Sequence, residues 1–213
     1  KKTAPLRYGL FLNGSEVDTR TVAPEDWWKE QITRLKGEQV PAGDLKLEIV
    51  TRGDVTGSWS TMLRYATREE NLAPSGDSLK IARRYYRLAE GRSEALRSGK
   101  AVRSKDEIVV VLDLESSSAL DYLVLEDFRP AGCSVVGLTS GLPYADGLCS
   151  NVEVRDELTS FFIAHLKPGK SQLSYRMKAE TPGRFHALPA RLYAMYAPRL
   201  RATSGEQRLE VLP

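Results

Sequence analysis

Apolar and polar residues alternate along most of the chain. Leu6, Tyr8, Leu10 and Leu12 fall on one face, and Asn13-Gly14 follows at once. A period of two sends successive side chains to opposite faces of a strand. Asn-Gly after such a run is a strong hairpin signal, because both residues tolerate positive φ. Leu45, Leu47 and Ile49 repeat the pattern, Gly53 and Gly57 bracket a turn, and Trp59, Thr61, Leu63 and Tyr65 alternate again. Residues 6–66 therefore predict several short strands. One stretch is ambiguous. Pro24-Glu25-Asp26 suits a helix start, and Trp28, Ile32 and Leu35 have helical spacing, yet Gly37 and Pro41 close the pattern early. It is read as a loop leading into a short strand.

Residues 67–78 carry little apolar content but both Pro74 and Gly76, which marks a domain boundary. Beyond it, residues 79–88, 108–114, 122–125, 152–158, 161–166, 173–179, 190–196 and 209–212 read as strands. Ser98-Gly99-Lys100 and Lys167-Pro168-Gly169-Lys170 read as turns. The nearly unbroken apolar run 108–114 predicts a central strand buried on both faces. Many short strands with turns about every ten residues are the signature of β-sandwiches. The fold expected is all-β, with two β-sandwich-type domains.

Composition narrows the function classes. The chain has 213 residues, a net charge of +3 and interspersed charges amounting to 28% of the sequence. That balance gives no long-range field for nucleic acid or an anionic membrane. No apolar run approaches the roughly 20 residues of a membrane-spanning helix. Lys1-Lys2-Thr3-Ala4-Pro5 lacks the apolar core of a signal peptide, so an exported parent would carry its signal upstream. Cys133 and Cys149 flank a stretch rich in Gly, Ser, Leu and Tyr. They are either bridged, closing a loop worth about 3 kcal/mol on the chain-entropy model, or two unrelated buried thiols. With only His165 and His186 besides, no zinc site forms without carboxylates. No metal and no cofactor are expected.

Catalytic signatures are missing. There is no Gly-x-Ser-x-Gly, P-loop, dinucleotide fingerprint or His-Glu-x-x-His. Glu69-Glu70, Glu126-Asp127 and Asp156-Glu157 are adjacent acids. Strand neighbours point to opposite faces, so these pairs cannot flank one bond and are expected at solvated strand ends. Neither histidine has a sequence neighbour that suggests nucleophilic catalysis. Arg83, Arg84, Arg87, Arg92, Arg97, Lys100 and Arg103, with Tyr85 and Tyr86 between them, read as a solvated face rather than a nucleic-acid or polysaccharide surface. The chain is not expected to be an enzyme.

One region is specific. Asp121-Tyr122-Leu123-Val124-Leu125-Glu126-Asp127 followed by Pro130-Ala131-Gly132 resembles the D-Y-V-x-x-E-D-x-x-P-A-G stretch of bacterial α-2-macroglobulins. Val154-Arg155-Asp156-Glu157 is similar to the family's V-R-D-D/E strand. Leu173-Ser174-Tyr175-Arg176, with Ala179-Glu180-Thr181-Pro182-Gly183-Arg184-Phe185, resembles Y-x-x-R-A-x-T-P-G-x-F. Pro189-Ala190, then Met195-Tyr196-Ala197-Pro198, resembles P-A-x-x-x-x-M-Y-x-P. Their shared order and spacing carry the resemblance. Physically, Thr181-Pro182-Gly183 is a turn tripeptide, and Pro130 ends a strand because it cannot donate to the ladder.

The resemblance implies a C-terminal fragment. Residues 1–70 would be the returning part of a CUB-like β-domain, 71–78 a linker, and 79–213 the final macroglobulin domain of receptor-binding type. A thioester domain and its Cys-x-Glu-Gln motif would lie upstream. The implied function is that of a non-catalytic module in a bacterial broad-range protease inhibitor, periplasmic or at the cell surface. Its partners would be other domains of the same chain, above all the thioester domain, and target proteases through the full-length protein. Nucleic acid and membrane are not expected partners. The implied oxidising compartment favours a Cys133–Cys149 disulfide. Met195 and Tyr196 would shield the thioester, with Ala197-Pro198 turning the chain sharply behind them. The alternative is a stand-alone adhesive or carbohydrate-binding β-sandwich, for which Trp27, Trp28 and Trp59 would supply the aromatic platform.

Overall fold

The structure is a computed structural model that describes residues 4–52, 57–64, 71–89, 92–96, 101–145 and 147–213. The expected turns at Gly53 and Ser98-Gly99-Lys100, the strand end at Tyr65, and the pair Glu69-Glu70 lie outside the described residues. The chain divides into two compact units, Lys1–Ala66 and Thr67–Pro213.

The first unit is a three-stranded antiparallel sheet of β1 (Leu6–Leu12), β2 (Ser15–Val22) and β3 (Leu47–Arg52), with β1 in the middle. Asn13 (φ 49°) and Gly14 (φ 82°) make the expected two-residue turn, and Leu12 pairs with Ser15 across it. The Asn13 side chain also fixes the third strand, accepting from Lys46 N–H at 2.7 Å and donating to Asp44 C=O at 3.1 Å. Two expectations fail here. Residues 57–64 form no strand, and Trp59 (56% exposed) and Leu63 (53%) project into solvent, because alternation supplies a face but not a pairing partner. Pro24–Asp26 is a 3-10 turn and no strand follows it before Leu47. Among the described residues this unit is one sheet rather than a sandwich, with only Leu12 and Val22 buried among its apolar residues.

The second unit is the expected β-sandwich. Its strands are β4 (Leu79–Ala89), β5 (Arg92–Leu96), β6 (Ala101–Arg103), β7 (Glu107–Ser116), β8 (Leu120–Phe128), β9 (Cys133–Val136), β10 (Asn151–Val154), β11 (Leu158–Leu166), β12 (Gly169–Ala179), β13 (Gly183–Ala187), β14 (Arg191–Ala194), β15 (Ala197–Thr203) and β16 (Gln207–Leu212). One layer runs β5-β4-β7-β12-β9 and the other β10-β11-β8-β14-β15. A small third sheet, β13-β16-β6, includes a parallel β16–β6 pair. Register explains the core. Val152, Phe161, Leu125, Leu192 and Ala202 form one transverse row over five strands, and each is at most 1% exposed.

β7 is central, as its apolar run predicts, but it is not buried on both faces. Ile108, Val110, Leu112 and Leu114 are buried, while Val109, Val111 and Asp113 between them are half-buried on the outer face. Residues 71–78 belong to the second unit rather than spanning between two. Ser75 and Thr203 exchange backbone hydrogen bonds of 3.0 and 2.9 Å, and Glu206 N–H donates to Leu72 C=O at 2.9 Å. Gly76 (φ 129°) fits because a Cβ there would stand 2.3 Å from Leu79 O.

Candidate functional site

The segments that carry the resemblance come together in three places, two inside the sandwich and one outside. The first is a buried ion pair between the layers. Arg83 of β4 and Asp127 of β8 meet at 2.6 Å with side chains 0% and 1% exposed. Arg83 also donates to Phe128 C=O at 3.1 Å and Ala187 C=O at 2.8 Å, and Tyr175 of β12 donates its hydroxyl to Asp127 Oδ2 at 2.7 Å. Burial opposes the Arg83 charge, but the Asp127 carboxylate overrides it and raises the guanidinium pKa. Burial, then the same carboxylate, pushes Tyr175 well up, so its proton stays on the hydroxyl.

Two expectations are corrected at this point. Asp127 is not solvated beside Glu126, and Arg83 is not part of a solvated face. The β4 alternation puts Leu79, Ile81, Arg83 and Tyr85 inward together, each at 4% exposure or less. Arg84, by contrast, is exposed and pairs with Asp113 at 2.6 Å.

The second cluster locks two motifs to each other. Phe185 lies against Gly132 and Gly183, where added Cβ atoms would stand 2.2 and 2.9 Å from its ring. Pro-Ala-Gly and Thr-Pro-Gly-x-Phe are therefore two sides of one contact.

The third place is the hairpin between β14 and β15. Ala194 pairs with Ala197, leaving Met195 and Tyr196 as the two turn residues. The chain turns at this pair, not at Ala197-Pro198, since Ala197 already opens β15. Met195 is 46% exposed and Tyr196 80%. Neither side chain packs into the sandwich. Sequence reasoning missed Tyr122, although it stands in the first matching segment. Its φ of 56° is a conformation that tyrosine adopts at a cost of order 1–3 kcal/mol. It accepts the Met195 N–H at 2.8 Å and meets the Tyr196 ring edge-on, with centroids 5.6 Å apart at 84°. Tyr122 thus meets the tip through both its backbone carbonyl and its ring. Asp121, next to Tyr122, holds His165 Nδ1 at 2.6 Å on exposed ground.

The expected disulfide is absent. Cys133 and Cys149 are free, buried thiols. Cys133 opens β9 opposite Ala179 of β12, in one layer. Cys149 bridges Tyr144, whose hydroxyl reaches Ser174 C=O, and then leads into β10 of the other layer. The loop between them crosses from layer to layer rather than closing on itself. Burial pushes Cys133 up to about 12 and Cys149 to about 11. The remaining histidine, His186, pairs with Glu206 at 2.6 Å. Among the described residues no group of three or more His, Cys, Asp or Glu side chains could hold a metal ion.

The family model for the bacterial α-2-macroglobulin MG10 domain matches residues 79–199, more than half of the chain. No curated protein matches the sequence. Among solved structures, native Escherichia coli α-2-macroglobulin spanning MG7 to the C-terminus is 23% identical. That match covers 66% of this chain and 24% of that one, with a TM-score of 0.54. Trypsin-activated α-2-macroglobulin from E. coli is 22% identical over 98% of this chain and 15% of that one, TM-score 0.56. Salmonella α-2-macroglobulin reacted with methylamine is 18% identical over 100% of this chain and 14% of that one, TM-score 0.54. At these identities the structural likeness is one of fold, and the chain spans a quarter or less of each of these three structures. The matched family domain begins at the first residue of β4 and covers the buried ion pair, the glycine contact and the aromatic tip, and on that match the chain belongs to the bacterial α-2-macroglobulin family.

Proposed function

We propose that this chain is the non-catalytic C-terminal part of an exported, broad-range protease inhibitor of the α-2-macroglobulin kind. Its Met195-Tyr196 tip packs on the thioester domain and shields the reactive bond. Residues 79–213 act as the closing macroglobulin domain, 71–78 as a linker and 1–70 as the returning part of a CUB-like domain. The partners are the other domains of the same polypeptide and, through the full-length protein, target proteases. The compartment is extracytoplasmic.

The observation that carries this reading is the tip itself. A thioester persists only where water and nucleophiles are excluded. A flexible, polarisable Met and a broad Tyr cover a surface without adding a strong nucleophile. Here both sit at an exposed turn whose backbone is fixed by Tyr122. The adhesive or carbohydrate-binding alternative draws on Trp27, Trp28 and Trp59, which are 41–79% exposed. No ring contact joins any two of them among the described residues. The test is a photo-crosslinking p-benzoylphenylalanine at position 196 of the full-length parent. Crosslinks to the segment around the thioester support the reading. Crosslinks only to solvent-exposed segments remote from it, or to other molecules, contradict it.

A further inference from the structure

Asn13-Gly14 does more than turn the chain. Its φ angles of 49° and 82° are those of a type I′ turn, whose central residues sit at about 60° and 90°. The last register pair between β1 and β3 is Leu12 with Leu47. Asn13 carries the seam past it. Its N–H donates to Lys46 C=O at 2.8 Å, its Oδ1 accepts the Lys46 N–H at 2.7 Å, and its Nδ2 donates to Asp44 C=O at 3.1 Å. The carboxamide is donor and acceptor at once, and it pins the entry to β3 from 31 and 33 residues away.

The same dipeptide is chemically the most prone to attack itself, because glycine has no side chain to block its own nitrogen. Asn13 and Gly14 are both exposed, and a Cβ at Gly14 would meet nothing within 4 Å. Among the described residues the Gly14 N–H has no backbone acceptor.

We propose that Asn13 is a self-modification site that deamidates through a cyclic imide with Gly14 when the hairpin opens, and that the product releases the start of β3. The Gly14 nitrogen, deprotonated by hydroxide, attacks Asn13 Cγ. The N–Cγ bond forms, the Cγ–Nδ2 bond breaks, and ammonia leaves carrying the proton that Gly14 lost. Water then opens the imide at either carbonyl, giving aspartate or isoaspartate, and nothing is oxidised or reduced.

The fold gates this step. Closing the five-membered ring requires Cβ and the Gly14 nitrogen to eclipse each other about the Asn13 Cα–C bond. The ψ of about 30° at the first central position of a type I′ turn holds them away from that arrangement. The carboxamide must also leave Lys46 and Asp44. Once formed, the product does not fit back. In aspartate an oxygen replaces Nδ2 and faces the Asp44 carbonyl oxygen, two acceptors where a hydrogen bond stood. Isoaspartate adds a backbone carbon to a two-residue loop, and loop length sets hairpin register. Either product marks the chain as one that has opened here.

Incubating the 213-residue chain at mildly alkaline pH, in buffer and in guanidinium chloride, tests the gate. Isoaspartate is read by methyltransferase labelling and its position by peptide mass mapping. Asn13 should convert several-fold faster in denaturant, while Asn71 and Asn151, followed by Leu72 and Val152, lag behind it there. Equal conversion of Asn13 in the two solvents, or faster conversion in the folded chain, would overturn the gate. The release of β3 is tested by hydrogen exchange in Asn13→Asp. Amides of Leu47–Arg52 should exchange several-fold faster than in the unmodified chain, with β4 and β7 unchanged. Asn13→Gly keeps the turn's positive φ but lacks both side-chain bonds, and should free β3 as well. Unaltered β3 exchange in either variant would show that the carboxamide does not hold the strand and would overturn the release.

Discussion

The family-like segments divide between the inside of the sandwich and one hairpin outside it. Asp127, Tyr175, Gly132 and Phe185 are accounted for by packing alone: an ion pair and its hydrogen bonds join the layers, and a ring seats on two glycines. Met195 and Tyr196 come from the same set of segments and contribute nothing to that core. Residues that a fold requires need no partner to explain them. Large apolar residues that a fold holds out in solvent, beside a Tyr122 at positive φ that contacts them, do need one.

The sharpest way to break this division is to attack its inside half. Asp127→Ala leaves the Arg83 guanidinium uncompensated at 0% side-chain exposure, so unfolding free energy should fall by about 3–5 kcal/mol. Chemical denaturation of this chain measures it. Asp113→Ala, which breaks an exposed pair with Arg84, should leave the midpoint where it is. Equal losses in the two variants would erase the distinction between buried and exposed pairs.

A smaller effect is expected at the glycine contact. Gly132→Ala places a methyl group 2.2 Å from the Phe185 ring, and overpacking of this kind costs about 1–3 kcal/mol. Gly141→Ala, where an added Cβ meets nothing but φ is 88°, separates backbone strain from crowding. A Gly132→Ala/Phe185→Leu double variant that recovers most of the loss would assign it to the ring.

The thiols give a pH test with a definite sign. Burial raises Cys133 to about 12 and Cys149 to about 11, against about 8.5 for a free thiol. A raised folded-state value contributes stability that is complete below the unfolded pKa and is lost as pH climbs through the folded one. Thermal midpoints should therefore decline between about pH 9 and 12, and less steeply when both cysteines are replaced by Ala. Native protein should resist thiol reagents, and both groups should react once it is unfolded without reductant. Two unreactive cysteines in the unfolded chain would restore the disulfide.

Least affected of all should be the stability of tip variants. Tyr196→Ala removes a ring that is 80% exposed, a surface change worth within about 0.5 kcal/mol.

Much of the sandwich was legible. The strands β4, β7 and β12 and the Asn13-Gly14 turn follow from apolar runs and turn chemistry, although the nearly unbroken run of β7 predicted burial on both faces and only one is buried. β15 was not, because Ala-Pro-Arg-Leu-Arg-Ala-Thr has a single large apolar residue and takes its strand form from pairing with β14. Arg83 was misjudged because its charge outweighed its register in the reading, although it lies in phase with Leu79, Ile81 and Tyr85. Trp59 failed the opposite way: an alternating run with no strand to pair with it. The position of Met195 and Tyr196 in a two-residue turn, and the part Tyr122 plays beneath it, depend on register and dihedral angles that composition does not encode.

One comparison reaches the shielding role directly. Tyr196→Ala and Tyr86→Ala, made separately in the full-length parent, remove one tyrosine from the tip and one from the opposite face of the domain. Spontaneous thioester loss is then followed by methylamine incorporation alongside the unfolding midpoint of each variant. Faster loss in Tyr196→Ala, with Tyr86→Ala matching the unmodified parent and both midpoints unchanged, is the expected result. Identical lifetimes for the two variants and the parent would contradict the shielding role of the tip.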